Sequence, residues 1–271
     1  MRLADAHNHL QDRRFGNDLA RVVKEMQQAG IQHAVVNGTR ESDWPSVLEV
    51  CRHHPEILSP ALGLHPWHAS SRSSTWVEQL RLGLASTSDS TLGECGLDLW
   101  REPADLADQI KVLAIHFELA RELGKSLTLH CLKAWQPLMD CLRSTAPLPP
   151  FLLHSFSGPP AMMAALVKLG AYFSLSGYFL MERKTKALQV FADIPMDRIL
   201  VESDAPDMAP PMSFRGAYHR DGYHHPADLI SCVEALATLK QIPVGECAEI
   251  CWQNTQRWLG RELTGRRSSV S

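Results

Sequence analysis

Short apolar runs alternate with longer amphipathic stretches along almost the whole chain. Leu3 to Ala6 reads as a strand, followed by a helix with Leu19, Val22, Val23 and Met26 on one stripe, which Gly30 stops. The same alternation gives strands at Ala34-Val35-Val36, Leu58 to Leu62, Thr91 to Glu94, Ser126 to Leu129, Phe151-Leu152-Leu153, Tyr172 to Leu175 and Arg198 to Val201. Helices are predicted around Trp44 to Cys51, Val77 to Leu84, Asp105 to Leu123, Trp135 to Leu142, Pro160 to Gly170 and Lys184 to Phe191. Two more, near Ala227 to Leu239 and Val244 to Leu259, end the pattern. Eight strands with intervening helices predict an α/β protein of the (β/α)8, or TIM barrel, type, with residues 1–260 as a single domain. A doubly wound open sheet is the competing fold. It calls for a glycine-rich phosphate loop after the first strand, where Asp5-Ala6-His7-Asn8-His9 stands instead. The polar segment 261–271, rich in Ser and Arg, is expected to be a flexible tail.

Composition narrows the class. The 271 residues are 45% hydrophobic and 21% charged, suited to burying a large core. A net charge of -3 leaves no basic field for tracking long nucleic acid. No run nears the ~20 apolar residues of a membrane span, and Asp5, His7 and His9 interrupt any signal-like start. Seven cysteines without a Cys-x-x-Cys pair point to reduced thiols and a cytoplasmic protein. A monomer is the expected state.

The candidate chemistry lies where strands stop. In a strand, His7 and His9 face the same way and can grip one cation. Glu94, His130, His154 and Asp204 follow at the ends of later strands, which in such barrels converge on one face. Four imidazoles and two carboxylates exceed the needs of one four-coordinate ion and suit two divalent ions bridged by Glu94. Asp204 is placed both to ligate and to accept a proton from an attacking water. Taken singly, Glu94 or Asp204 can equally cap a helix, and His33, His53, His54 and His116 read as hydrogen-bonded core histidines. No Gly-x-Ser-x-Gly elbow suggests a serine nucleophile. Nitrogen-rich ligation favours zinc or manganese, while a bridging carboxylate also permits magnesium.

These residues fall within motifs that resemble, in order, those of the TatD family of metal-dependent hydrolases. The motifs are Asp5-Ala6-His7-Asn8-His9, Gly63-Leu64-His65-Pro66, Gly93-Glu94-Cys95-Gly96-Leu97-Asp98, His130-Cys131, His154-Ser155-Phe156-Ser157-Gly158, Ser174-Leu175-Ser176-Gly177 and Glu202-Ser203-Asp204-Ala205-Pro206. The resemblance spans Asp5 to about Leu259. It implies a TIM barrel, two divalent metals and phosphodiester hydrolysis, typically by a DNase acting from a 3′ end. It also implies that His7, His9, Glu94 and Asp204 hold one metal and Glu94, His130 and His154 the other. His65 would contact the substrate phosphate, and Glu202 would orient a ligand. Asp98 is read as a loop anchor or a partner of a ligand.

Two departures concern the substrate. Leu132 stands where the family usually has an arginine, and Tyr223-His224-His225-Pro226 replaces Arg-Asn-x-Pro. The long segment from Ala205 to His225 is read as functional or mobile. Trp67, Trp100, Tyr178 and Phe179 are candidates for stacking on terminal bases of a DNA end. The rival readings are an amidohydrolase, lactonase or small-molecule phosphoesterase on the same site, and a catalytically idle binding scaffold.

Overall fold

The computed structural model describes residues 1–220 and 222–263. Its eight strands are β1 (Leu3–Asn8), β2 (Ile31–Asn37), β3 (Leu58–Leu62), β4 (Thr91–Asp98), β5 (Leu127–Leu132), β6 (Phe151–Leu153), β7 (Tyr172–Ser176) and β8 (Ile199–Glu202). They pair in parallel, in sequence order, as one sheet. The helices are α1 (Leu19–Gln28), α2 (Trp44–His53), α3 (Trp76–Ala85), α4 (Leu106–Leu123), α5 (Trp135–Ser144), α6 (Pro160–Lys168), α7 (Thr185–Asp193), α8 (Leu229–Lys240) and α9 (Val244–Leu259). The sheet curls into a nearly closed barrel with helices outside, so the strands are buried on both faces, as their apolar composition demands.

Two apolar layers hold this arrangement. The larger lies between strands and helices and includes Val22, Met26, Leu80, Leu113, Phe117, Leu138, Phe191 and Leu236. The smaller fills the barrel. Ala6, Val35, Ala61, Leu152, Tyr172 and Leu200 each come from a different strand, and Trp258 of α9 joins them. Trp258 donates through Nε1 to the carbonyl of Leu127, at the start of β5, so α9 plugs the N-terminal end. The opposite end stays polar.

The seam between β1 and β8 is closed partly by a side chain. Asp5 accepts hydrogen bonds from the backbone N–H of Ser203 at 2.8 Å and from its hydroxyl at 2.6 Å. Just beyond, Asp204 N donates to His7 O at 2.9 Å and His9 N to Ala205 O at 2.7 Å. The chain's beginning and its last barrel strand are thereby locked in register.

Several boundaries differ from expectation. β4 continues to Asp98 because Cys95, Gly96, Leu97 and Asp98 keep pairing with Leu129, His130, Cys131 and Leu132. Glu94 and His130 therefore lie inside strands rather than at their ends, and β1 likewise extends through His7. Phe179, offered above as a stacking residue, is 2% exposed and packs near Phe191, so it belongs to the core. Arg261 to Leu263 begin the expected tail, and Leu263 packs with Trp252 and Ala4. Residues 264–271, on which the rest of that expectation falls, lie outside the described residues. No helix among the described residues is long and apolar enough to cross a membrane. All seven cysteines are free.

Candidate metal centre

The polar end of the barrel gathers all six predicted ligands. Two glycines allow it. Gly93 and Gly96, on either side of Glu94, sit at φ +148° and +147°, a region L side chains rarely adopt. A Cβ at Gly96 would overlap the backbone of His130, so β4 and β5 can approach this closely only with glycine there. Glu94 is thereby brought beside His130 and His154.

Glu94 divides its two oxygens. Oε2 stands 3.5 Å from His7 Nε2 and 3.6 Å from His9 Nε2. Oε1 stands 3.0 Å from His130 Nδ1 and 2.9 Å from His154 Nε2. Asp204 completes the first group, its Oδ1 lying 3.5 Å from His7 Nε2 and 3.4 Å from His9 Nε2. The two nitrogens of that group are 3.2 Å apart, and those of His130 and His154 are 3.1 Å apart.

These spacings fit cations. Ligand atoms ~2.0–2.1 Å from one ion are about 2.8–3.6 Å from each other at angles between about 90° and 120°. The tautomers fit as well. His9 donates from Nδ1 to the carbonyl of Asn37 at 2.8 Å, which turns the Nε2 lone pair towards His7 and Asp204. His130 donates from Nε2 to Asp98 Oδ2 at 2.8 Å, which turns Nδ1 towards Glu94. His154 presents Nε2 inward while its Nδ1 lies 3.7 Å from Glu202. Imidazoles fixed from behind by a carbonyl or carboxylate are the usual support of a metal site.

The electrostatics reflect the crowding. Burial works against ionised Glu94, but the charge of His154 and the bonds from His130 and His154 hold it well below the usual carboxylate range. Burial disfavours charged His9, yet its bond to Asp204 and the fields of Glu94 and Asp204 raise it to about 9. His154 is likewise raised well above its ordinary value by Glu94 and Glu202, against its burial. This is a pocket of negative charge that attracts protons or cations.

His65 stands beside the six. Its Nδ1 accepts from Trp67 N at 3.1 Å, and its Nε2 lies 3.4 Å from Glu94 Oε1. Burial, aided by repulsion from His130 and His154, keeps it neutral, well below the ordinary value despite the pull of Glu94. Its N–H therefore points into the site as a donor.

Three supports stand behind the site: Asp98 and Glu202, which the motifs already mark as partners of ligands, and His116, which carries no local sequence signal. Asp98 anchors both His130 and the backbone of Trp100, to which it is bonded at 2.6 Å. Glu202 is engaged by Ser155 N at 2.8 Å, Ser155 Oγ at 2.7 Å and Ser174 Oγ at 2.5 Å. His116 accepts from Leu64 N at 3.2 Å and donates to Val112 O at 2.8 Å, holding the backbone next to His65.

Comparison with known proteins agrees with this geometry. A family model described as TatD related DNase matches residues 4–260. A protein of Erwinia tasmaniensis named 3'-5' ssDNA/RNA exonuclease TatD is 30% identical over 252 residues, covering 92% of this chain and 96% of that protein. An uncharacterized metal-dependent hydrolase of Haemophilus influenzae is 26% identical over 263 residues, 94% of this chain and 98% of its own length. Among solved structures, YJJV, a TatD homologue from Escherichia coli, superposes with a TM-score of 0.87 at 26% identity, covering 96% of this chain and 98% of that one.

Proposed function

The chain belongs to the TatD related DNase family of metal-dependent hydrolases, and from that premise we propose that it removes nucleotides from the 3′ end of single-stranded DNA by hydrolysing phosphodiester bonds with two divalent cations. The observation that supports it most is Glu94, whose two oxygens each face a separate pair of histidine nitrogens. His7, His9, Glu94 and Asp204 would hold one cation, and Glu94, His130 and His154 the other. Four imidazoles favour zinc or manganese over magnesium. When bound, the pair would lower the pKa of a shared water towards ~7 and neutralise phosphoryl oxygens.

The chain's own groups supply the rest. Asp204 accepts the water's proton, lying within reach of the same volume that His7 and His9 face. Neutral His65 donates its Nε2–H to a non-bridging phosphate oxygen. Asp98 and Glu202 fix the rings of His130 and His154. The free thiols suit a cytoplasmic enzyme, which we take to act as a monomer.

The test pairs metal analysis of the purified protein with digestion of a 5′-labelled single-stranded oligonucleotide. The expected product is a ladder that shortens from the 3′ terminus and needs added metal. Fragments arising from the middle, RNA cleaved while DNA is spared, or turnover of a lactone with no phosphodiester cleaved would overturn the reading.

A further inference from the structure

Seven tryptophans stand in the sequence. Trp44, Trp76, Trp252 and Trp258 are buried and Trp135 packs against the core, but Trp67 and Trp100 are 45% and 60% exposed. Folding does not explain leaving two indoles in water. Both lie on the same side of the metal centre. The ring of Trp67 contacts that of His65 at a centroid distance of 4.8 Å and lies 6.5 Å from that of His130. Trp100 is tied to His130 through Asp98, which takes the N–H of one and the ring proton of the other.

Each indole also carries its own cation. The Arg101 guanidinium lies 5.3 Å from the centre of the Trp67 ring, and the Lys133 ammonium 4.3 Å from that of Trp100. Lys133 directly follows β5 and sits at φ +58°, an uncommon conformation for a lysine. Between residues 66–70 and 101–105 opens a cavity of about 350 Å³, lined in part by Trp67, His68 and Arg101. Asp108, on the same wall, is engaged by Arg72 at 2.6 and 2.8 Å.

We propose that Trp67 and Trp100, with Arg101 and Lys133, form a subsite that stacks the bases next to the scissile bond of a single-stranded nucleic acid and pairs with their phosphates. The assignment rests on the phosphodiesterase reading above and names how its substrate is gripped. An exposed π-face accepts any base, and the cation held over each ring is placed to meet the adjoining phosphate. A protein of net charge -3 has no long basic track, so a grip of this kind must be local. Tyr178 also carries cations, Arg183 and Lys184, but the ring contacts to His65 and His130 single out the Trp67 side.

The test measures binding of a fully phosphorothioate-linked, fluorescein-labelled oligothymidylate to the manganese-loaded protein by anisotropy. Trp67→Ala and Trp100→Ala should each weaken binding about tenfold, or about 1.4 kcal/mol. Trp67→Phe and Trp100→Phe, which keep a stacking face, should stay within about threefold of the parent. An abasic residue placed next to the 3′ end should weaken binding to the parent protein and make little further difference to the alanine variants. Alanine variants that bind like the parent, or that lose the intact and abasic ligands in equal proportion, would overturn the subsite. Turnover of bis-p-nitrophenyl phosphate by the parent protein reports on the hydrolytic site separately. A parent that binds the oligonucleotide as expected but cleaves no phosphodiester would end the functional reading and leave the subsite standing.

Discussion

At the scale of single residues, Asp204 has the strictest demands. It is 7% exposed, sits at φ +53°, and keeps one oxygen within 3.5 Å of both His7 and His9. Asp204→Asn preserves size but cannot take a proton. It should lower kcat by ~10²–10⁴-fold, the range of a lost general base. Steady-state kinetics beside metal content checks this; full activity at unchanged metal loading would mean another group takes the proton. His116 supports a pH prediction. Burial lowers it to about 4, although its bond to Val112 O opposes this. The unfolded chain, with a histidine pKa near ~6.5, then binds the extra proton between pH ~6.5 and ~4. Stability should therefore fall as pH drops through that window, by roughly 3 kcal/mol from this group, and level off below it. His116→Gln should flatten that part of a plot of Tm against pH in metal-free protein; an unchanged slope would show that His116 does not titrate so. The six candidate ligands were legible because each sits in a short motif of fixed type. The work of Asp5 and His116 was not, because Ser203 is 198 positions from the first and Leu64 is 52 from the second. Hydrogen bonds of such span leave no periodic trace in sequence.

At the scale of elements, the alternation of apolar runs and amphipathic stretches predicted every β-strand and α-helix among the described residues, though β2 begins three residues earlier than expected. It misplaced the C-terminal ends of β1, β4 and β5, where the site is made. Those ends break the apolar run with polar or small residues: Gly96 and Asp98 in β4, His7 and Asn8 in β1. They stay extended because they keep pairing with the neighbouring strand, and their polar side chains are buried there. Lys133, Ser155 and Asp204, directly after β5, after His154 and two past β8, all adopt positive φ. These turns aim side chains across the mouth, which residue type alone does not announce. The segment from Ala205 to His225 was expected to be functional or mobile. Its described residues are tied to the first part of the chain. Arg14 grips Asp207 at 2.8 Å twice, and Glu25 of α1 accepts from Arg220 and His225 at 2.9 Å. The critical element contact is β4 against β5 at Gly96. Gly96→Ala should cost about 3 kcal/mol or more, since both φ and the His130 backbone forbid a Cβ. Gly245→Ala, in α9 with open space around it, should change stability by no more than about 1 kcal/mol. Chemical denaturation of the two variants compares them directly; a tolerated Gly96→Ala would mean that the strands can separate without harm.

At the scale of the whole molecule, the candidate metal centre is also a clasp. The first ligand group joins β1 to the segment after β8 and to β4, and the second joins β4 to β5 and the end of β6. Without cations, the neighbouring nitrogens and carboxylates must be held by protons alone, and the seam relies on Asp5 and two backbone hydrogen bonds. A cation that binds only the folded chain adds about 2.7 kcal/mol at a hundred times its Kd. For a chain of this size that corresponds to roughly 5–10 °C in Tm. Chelation should lower the melting temperature by about that much, and restoring manganese or zinc should recover it. Asp5→Asn separates the two fasteners. It puts an amide NH2 where Asp5 accepts from Ser203 Oγ and Asn8 Nδ2, so it should lower Tm by several degrees even with chelator present, where the cations cannot contribute. Calorimetry of the parent and the variant, each with and without metal, measures both terms. If chelation leaves the parent's transition unmoved while Asp5→Asn lowers it, the barrel is closed by its hydrogen bonds alone, and the six ligands have been brought together for chemistry without any share in holding the fold.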